Sequence, residues 1–138
     1  MNTFINLAVA DLARSRAFFE ALGFGFDERF CDDTALGMVI SETSFAMLLT
    51  ADKFAGFTPR TLADATKVSE VLVALQLESR EAVDAMMATA MAHGATTVRP
   101  PEDHGFMYGH AFADPDGHIW EPFWMNVDAL TDLQEDPR

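Results

Sequence analysis

The residues best suited to chemistry lie near the end of the chain, on either side of a predicted turn. His110 comes before the segment DPDG at positions 114–117, and Glu121 comes after it. Asp, Pro and Gly at the first, second and fourth positions favour a type I turn. If the flanking strands pair about this turn, Tyr108 and His110 lie close to Glu121 and Phe123. A bulge at the glycine would shift that register by one residue.

Glu121 has three possible roles. In an apolar cleft its carboxylate could act as a general base or hold a bound cation. It could also be a relic carboxylate, hydrogen-bonded to a neighbour such as His110, Tyr108 or Gln76. His110, in turn, could move protons with Glu121 or form a purely structural cross-strand pair. The residues leave these alternatives open.

The elements that must position these side chains are repeated along the chain. In the first half, an apolar strand at 4–10 precedes Asp11, whose carboxylate suits a helix N-cap. A helical pattern follows and ends at Gly23. Three strand-like stretches come next, at 24–30, 36–40 and 45–50.

The second half follows the same order. A strand at 71–77 precedes Ser79 as N-cap, and an apolar helical stripe ends at Gly94. Strand-like stretches follow at 96–98, 106–113 and 118–125. Such self-similarity predicts an α+β fold made of two βαβββ modules. Strand alternation also predicts that Trp120 and Trp124 point away from the face that carries Glu121.

Length and composition limit the class of protein. The 138 residues support one domain, predicted at 1–127, with modules at 3–50 and 70–126, a linker at 51–69 and an acidic tail at 128–138. A net charge of −13 argues against nucleic acid and anionic membranes as partners. The single cysteine, Cys31, allows no internal disulfide. No signal peptide or membrane-spanning run is visible, so we expect a soluble, cytoplasmic protein.

Two segments carry a resemblance to a known family. The opening FINLAVADLARSRAFFEALGF and the closing FMYGHAFADPDGHIWEPFW resemble the vicinal-oxygen-chelate superfamily, which includes glyoxalase I, extradiol dioxygenases and bleomycin-resistance proteins. The resemblance covers residues 3–125. It implies a curved mixed sheet around a cleft, the glyoxalase/bleomycin-resistance/dihydroxybiphenyl-dioxygenase-like fold, and a homodimer.

The resemblance also implies four metal-ligand positions, two in each module. They fall at Phe4, Met47, Leu72 and Glu121, and only Glu121 is a competent donor for a hard divalent ion. We therefore expect no metal ligand set and no cofactor. The candidate ligand-binding residues of the cleft are Phe4, Asn6, Met47, Leu72, Gln76, Tyr108, His110 and Phe123, with Glu121 and His110 as the catalytic candidates.

The favoured function is a binding protein that sequesters a small apolar molecule, neutral or cationic, as bleomycin-resistance members do. The alternative is a metal-dependent enzyme, similar to lactoylglutathione lyase or the extradiol dioxygenases, that uses Glu121. A third possibility is an interaction protein whose cleft is filled by its own apolar side chains. We expect a small-molecule ligand and a second copy of the chain as partners.

Overall fold

The computed structural model describes residues 1–128, which fall into two compact units. The first unit contains Met1–Val68 together with Pro115–Gly117, and the second contains Ser69–Asp114 and the described residues from His118 to Asp128. Apart from Asp128, the predicted acidic tail lies outside the described residues. Among the described residues, no helix has the length and apolar character needed to cross a membrane.

The first unit has one four-stranded sheet and two helices. Its elements are β1 Thr3–Val9, α1 Leu12–Ala21, β2 Gly25–Phe26, β3 Ala35–Val39, β4 Ser44–Thr50 and α2 Ala51–Ala55. The strand order is β1-β4-β3-β2. β1 runs parallel to β4, and the other neighbours are antiparallel. Phe18, Phe19, Met38 and Leu48 are among the buried residues of its core.

The predicted ends of α1 are confirmed. The Asp11 carboxylate accepts a hydrogen bond from the backbone N–H of Arg14, as an N-cap does. After the helix, Gly23 has a φ of 99°, a left-handed conformation that glycine adopts at little cost.

One local prediction in the first unit is wrong. The strand predicted at 24–30 stops at Phe26, because the Asp27 carboxylate caps a 3₁₀ turn over Glu28–Phe30. The stretch 51–69, predicted to link the two modules, begins with α2. There the Thr50 hydroxyl accepts a bond from the N–H of Lys53.

The second unit is built around its last strand. Its elements are β5 Leu72–Gln76, α3 Arg80–Ala92, β6 Thr96–Thr97, β7 Glu102–Asp103, β8 Met107–Gly109, β9 Phe112–Ala113 and β10 Ile119–Met125. β10 runs parallel to β5 and antiparallel to β8 and β9. β9 pairs with β6, and β8 pairs with β7. The Ser79 hydroxyl accepts a bond from the Ala82 N–H, so the predicted cap of α3 is confirmed.

The predicted duplication is confirmed by the strand pairing. β5 lies parallel to β10 as β1 lies parallel to β4, β8 and β9 together take the place of β3, and β6 takes the place of β2. Each unit is therefore a βαβββ module of an α+β fold. β7 is an addition that the sequence patterns did not predict. The strand predicted at 106–113 is interrupted at His110 and Ala111.

The two tryptophans of β10 lie on the α3 side of their sheet. Trp120 is fully buried, and its indole N–H donates to the Asp114 carboxylate over 3.0 Å. The ring of Trp124 lies 5.1 Å from the guanidinium carbon of Arg80, at the start of α3. The prediction that both rings point away from the Glu121 face is confirmed. It follows that the Glu121 face of β10 is turned away from α3.

Candidate functional site

A cavity of about 230 Å³ lies in the second unit, on the Glu121 face of β10. Strand pairing places its wall residues side by side: Glu121 is next to Ala74, Phe123 is opposite Gly109, and Gly109 is opposite Glu102. The full lining is Ala74, Arg99, Glu102, Met107, Gly109, His110, Glu121 and Phe123. Three of the predicted site residues, His110, Glu121 and Phe123, are thus brought together.

The hairpin around the DPDG turn has the register that a bulge at Gly117 produces, one residue away from the pairing of His110 with Glu121. Gly117 has a φ of 93°, and the backbone N–H of Asp114 donates to the carbonyl of His118 over 2.8 Å. This is the pattern of a turn that ends in a left-handed glycine bulge. Trp120 pairs with Phe112 and Phe123 pairs with Gly109. The residue directly opposite Glu121 is therefore Ala111, one place further along the chain than His110.

Arg99 is the partner of Glu121. Arg99 Nη2 lies 2.6 Å from Glu121 Oε2, in a charge-assisted hydrogen bond between side chains that are 35% and 22% exposed. Arg99 Nε also lies 3.4 Å from Glu102 Oε1. The guanidinium thus sits between two carboxylates in the cavity wall. Within residues 1–128, Glu121 has no hydrogen bond to His110, Tyr108 or Gln76, the neighbours suggested for its structural alternative.

The segment that supplies Arg99 and Glu102 is held in place from outside the cavity. Glu102 and Asp103 form β7, directly after two prolines. Arg80 donates two hydrogen bonds, of 2.8 and 2.9 Å, to the Asp103 carboxylate and a third to the carbonyl of Gly105. Arg80 lowers the pKa of the Asp103 carboxyl to about 2. These three bonds form the Arg80 clamp, which fixes the β7–β8 hairpin and, with it, the position of Glu102.

His110 contributes a hydrogen-bond donor to the wall. The backbone N–H of Ala111 donates to His110 Nδ1 over 2.9 Å, so in the neutral ring the hydrogen is on Nε2. Within residues 1–128, no hydrogen bond joins His110 to Glu121, and Nε2 has no hydrogen-bond partner. His110 therefore lines the same cavity as Glu121 without a hydrogen bond to it.

Three further candidates of the second unit lie outside this lining. Leu72 and Gln76 are exposed on β5, on the same face as Ala74, beside Ile119 and Phe123. Tyr108 lies on the other face, opposite Trp124, and its hydroxyl donates to the Asp84 carboxylate of α3 over 2.6 Å.

The candidates of the first unit share one face of its sheet. Phe4, which is 43% exposed, stacks on Phe45 with ring centroids 4.7 Å apart. Asn6 is exposed and lies beside Met47. The Asn6–Met47 pair corresponds to the Ala74–Glu121 pair of the second unit, since both join the first and last strands of a module. The place of the Glu121 carboxylate is thus taken by a thioether in the first unit.

These residues do not fit a divalent metal ion. Glu121 already holds the Arg99 cation, and the side chains next to it across the sheet, Ala74 and Ala111, have no donor atoms. In the described part of the chain, no three His, Cys, Asp or Glu side chains are grouped as a metal ion would require. The Met47 thioether is too soft for Mg²⁺, Mn²⁺ or Fe²⁺.

Comparison with known structures shows the same fold elsewhere. The hypothetical protein SA1046 from S. aureus is similar at 27% identity and a TM-score of 0.78, over 90% of this chain and 93% of that one. A glyoxalase-related enzyme from Fulvimarina pelagi is similar at 20% identity and a TM-score of 0.79, over 92% and 89%. The fosfomycin resistance protein FosX from Listeria monocytogenes is similar at 19% identity and a TM-score of 0.66, over 90% of each chain.

No curated protein matches this chain. The family model of the Glyoxalase/Bleomycin resistance protein/Dioxygenase superfamily matches residues 3–121, which cover the first module and the second as far as Glu121 in β10. The chain therefore belongs to the glyoxalase/bleomycin resistance protein/dioxygenase superfamily.

Proposed function

We propose that this protein binds a small, largely apolar molecule with a positively charged end in the cavity of its second unit, without a metal ion. The observation that carries the proposal is the Arg99–Glu121 ion pair. It places the guanidinium of Arg99 on Glu121, the carboxylate that the family resemblance assigns to a metal ion. The charged groups at the polar end of the cavity are thus the side chains of Arg99, Glu102 and Glu121.

The lining supports both parts of this ligand description. Met107 and Phe123, with Ala74, offer apolar surface, and a Met and an aromatic ring adapt to varied apolar ligands. Two carboxylates, Glu102 and Glu121, face one guanidinium, so the wall carries one net negative charge when His110 is neutral. The chain as a whole carries −13, which draws cations toward it.

We further propose that the protein works as a homodimer in the cytoplasm. The family resemblance supports the dimer, and light scattering during size-exclusion chromatography measures it directly. A monomer at micromolar concentration would contradict this part of the proposal and leave the binding proposal intact.

The binding test uses phenethylammonium as the probe and 2-phenylethanol as its uncharged counterpart. Protein stripped with EDTA is titrated by calorimetry, and amide shifts of the cavity residues are followed by NMR. We expect phenethylammonium to bind more tightly than the alcohol and to shift the amides of Glu121 and Phe123. Glu121→Gln should weaken that binding. Glu42→Gln, in an exposed turn, is the matched control and should not.

A metal measurement separates this proposal from the enzyme alternative. The protein is incubated with Mg²⁺, Mn²⁺, Fe²⁺, Ni²⁺ or Zn²⁺, desalted and measured by mass spectrometry. We expect well under one ion per chain. One ion per chain that is lost in Glu121→Gln would contradict the proposal and favour a metal-dependent enzyme.

A further inference from the structure

We infer that the ligand of this cavity is a zwitterion with adjacent opposite charges and an apolar side chain, as in an apolar α-amino acid. The inference rests on the proposed function, because it concerns the chemistry of the same cavity. It depends on which polar atoms of Arg99, Glu121 and His110 remain available.

The Nη1 nitrogen of Arg99 has no hydrogen-bond partner within residues 1–128. Nη2 of the same side chain donates to Glu121, and its Nε lies near Glu102. A guanidinium binds carboxylates through neighbouring N–H groups and keeps its charge at any physiological pH. Nη1 is therefore a charged donor for an anionic oxygen.

His110 offers a second donor in the cavity lining. Because its Nδ1 accepts the Ala111 N–H, the neutral ring carries its hydrogen on Nε2, which has no partner within the described residues. Two donors from the cavity lining suit the two oxygens of one carboxylate.

Glu121 offers the complementary acceptor. Arg99 bonds to its Oε2, and Oε1 has no hydrogen-bond partner in residues 1–128. A ligand ammonium can donate to Oε1 without removing Arg99 from Oε2. Glu102 adds negative charge on the other side of the guanidinium, at 3.4 Å from Nε.

The donors and the acceptor of the lining favour a ligand that carries both signs. A ligand with only a positive group can donate to Oε1 of Glu121 but leaves the charged Nη1 of Arg99 without an acceptor. A ligand with only a negative group meets two carboxylates, and unpaired or like charges in a partly buried site are costly. Since Arg99 and Glu121 are 2.6 Å apart, the matching ligand charges must also be close together, as they are across the α-carbon of an amino acid.

The test is calorimetric titration with four related probes. L-phenylalanine carries both charges, L-phenylalaninamide and phenethylammonium only the positive one, and N-acetyl-L-phenylalanine only the negative one. We expect L-phenylalanine to bind about tenfold or more tightly than each single-charge probe, because each charge-assisted hydrogen bond supplies roughly that factor.

Variants show which residue binds the negative group of the ligand and which binds the positive group. Arg99→Met should remove the preference for L-phenylalanine over its amide, Arg99→Lys should restore part of it, and Glu121→Gln should remove the preference over the N-acetyl probe. Arg29→Met, on an exposed side chain of the first unit, is the control and should change nothing. Circular dichroism verifies that each variant is folded, and Arg99→Lys retains the cation if Arg99→Met does not fold.

The outcomes are distinct. If L-phenylalaninamide or phenethylammonium binds as tightly as L-phenylalanine, the inference is overturned and the proposed function stands. If the N-acetyl probe binds best, both the inference and the positively charged end of the proposal are overturned. If none of the four probes binds, the inference fails together with the proposed function.

Discussion

The carboxylate of Asp116 accepts a hydrogen bond from the backbone N–H of Ala10, 106 positions earlier in the chain, over 2.8 Å. Its Oδ1 also accepts from Arg14 over 2.9 Å, and its Oδ2 from the buried hydroxyl of Ser15 over 3.3 Å. The side chain of Asp116 is only 9% exposed. The second Asp of the DPDG segment thus connects three groups around the start of α1 within the first unit.

Replacing Asp116 should destabilise the protein markedly. Asp116→Ala removes three hydrogen bonds to a charged acceptor and leaves the Ser15 hydroxyl without this partner, so we expect a loss of about 2–3 kcal/mol. Asp116→Asn keeps an acceptor oxygen and should lose less. Asp33→Ala, on an exposed aspartate, is the control. Urea unfolding measures the differences, and an Asp116→Ala protein within about 0.5 kcal/mol of the parent would contradict this account.

Gly117 should tolerate alanine less well than Gly23 does. Both have a left-handed φ, 93° and 99°, so both substitutions cost about 1–2 kcal/mol in backbone conformation. A Cβ on Gly117 would also lie 2.7 Å from the Ala65 carbonyl oxygen, whereas a Cβ on Gly23 meets nothing within 4 Å.

We therefore expect Gly117→Ala to have the lower melting temperature of the two variants, since Gly23→Ala carries the conformational cost alone. Differential scanning calorimetry measures both. Equal losses of stability would show that the Ala65 backbone moves away without cost.

Tyr108 should titrate above its usual range. The Asp84 carboxylate accepts its hydrogen bond, and this raises the pKa of the Tyr108 phenol above the normal value near 10. Because the folded pKa is raised, the stabilisation is complete below about pH 10 and is lost as pH rises through the folded pKa.

The absorbance of the phenolate gives a direct measurement, because Tyr108 is the only tyrosine in the chain. We expect the midpoint to move down toward the normal value in Asp84→Asn. Asp52→Asn, on an exposed aspartate of α2, is the control. The same midpoint in Asp84→Asn as in the parent would contradict the assignment.

Asp103 should keep its charge well into the acid range. Arg80 holds its pKa at about 2, so the stabilisation is present above about pH 4, where the unfolded carboxyl is ionised, and is lost as pH falls through 2. Carboxyl-carbon NMR titration measures the pKa. Arg80→Leu should raise it toward the ordinary value, and Arg60→Leu, on an exposed arginine of the first unit, should leave it unchanged. An equally low pKa in Arg80→Leu would show that the backbone around Gly105 is responsible.

The element order was predictable because its causes are local. Apolar periodicity, the caps at Asp11 and Ser79 and the glycines at the helix ends act over a few residues, and all are present in the structure. Strand alternation also predicted the orientation of Trp120 correctly. Where a local competitor was overlooked, the prediction failed, as at Asp27, whose carboxylate caps a 3₁₀ turn in place of a continued strand.

The sequence by itself determined the two βαβββ modules, the family and Glu121 as the carboxylate of interest. Only the tertiary structure decided what surrounds Glu121. The left-handed Gly117 shifted the hairpin register by one residue, and the Arg80 clamp fixed the hairpin that contains Glu102. Arg99, 22 residues before Glu121, then reached its carboxylate. Such a pairing depends on the register and the loop path together, and neither leaves a periodic signal in the chain.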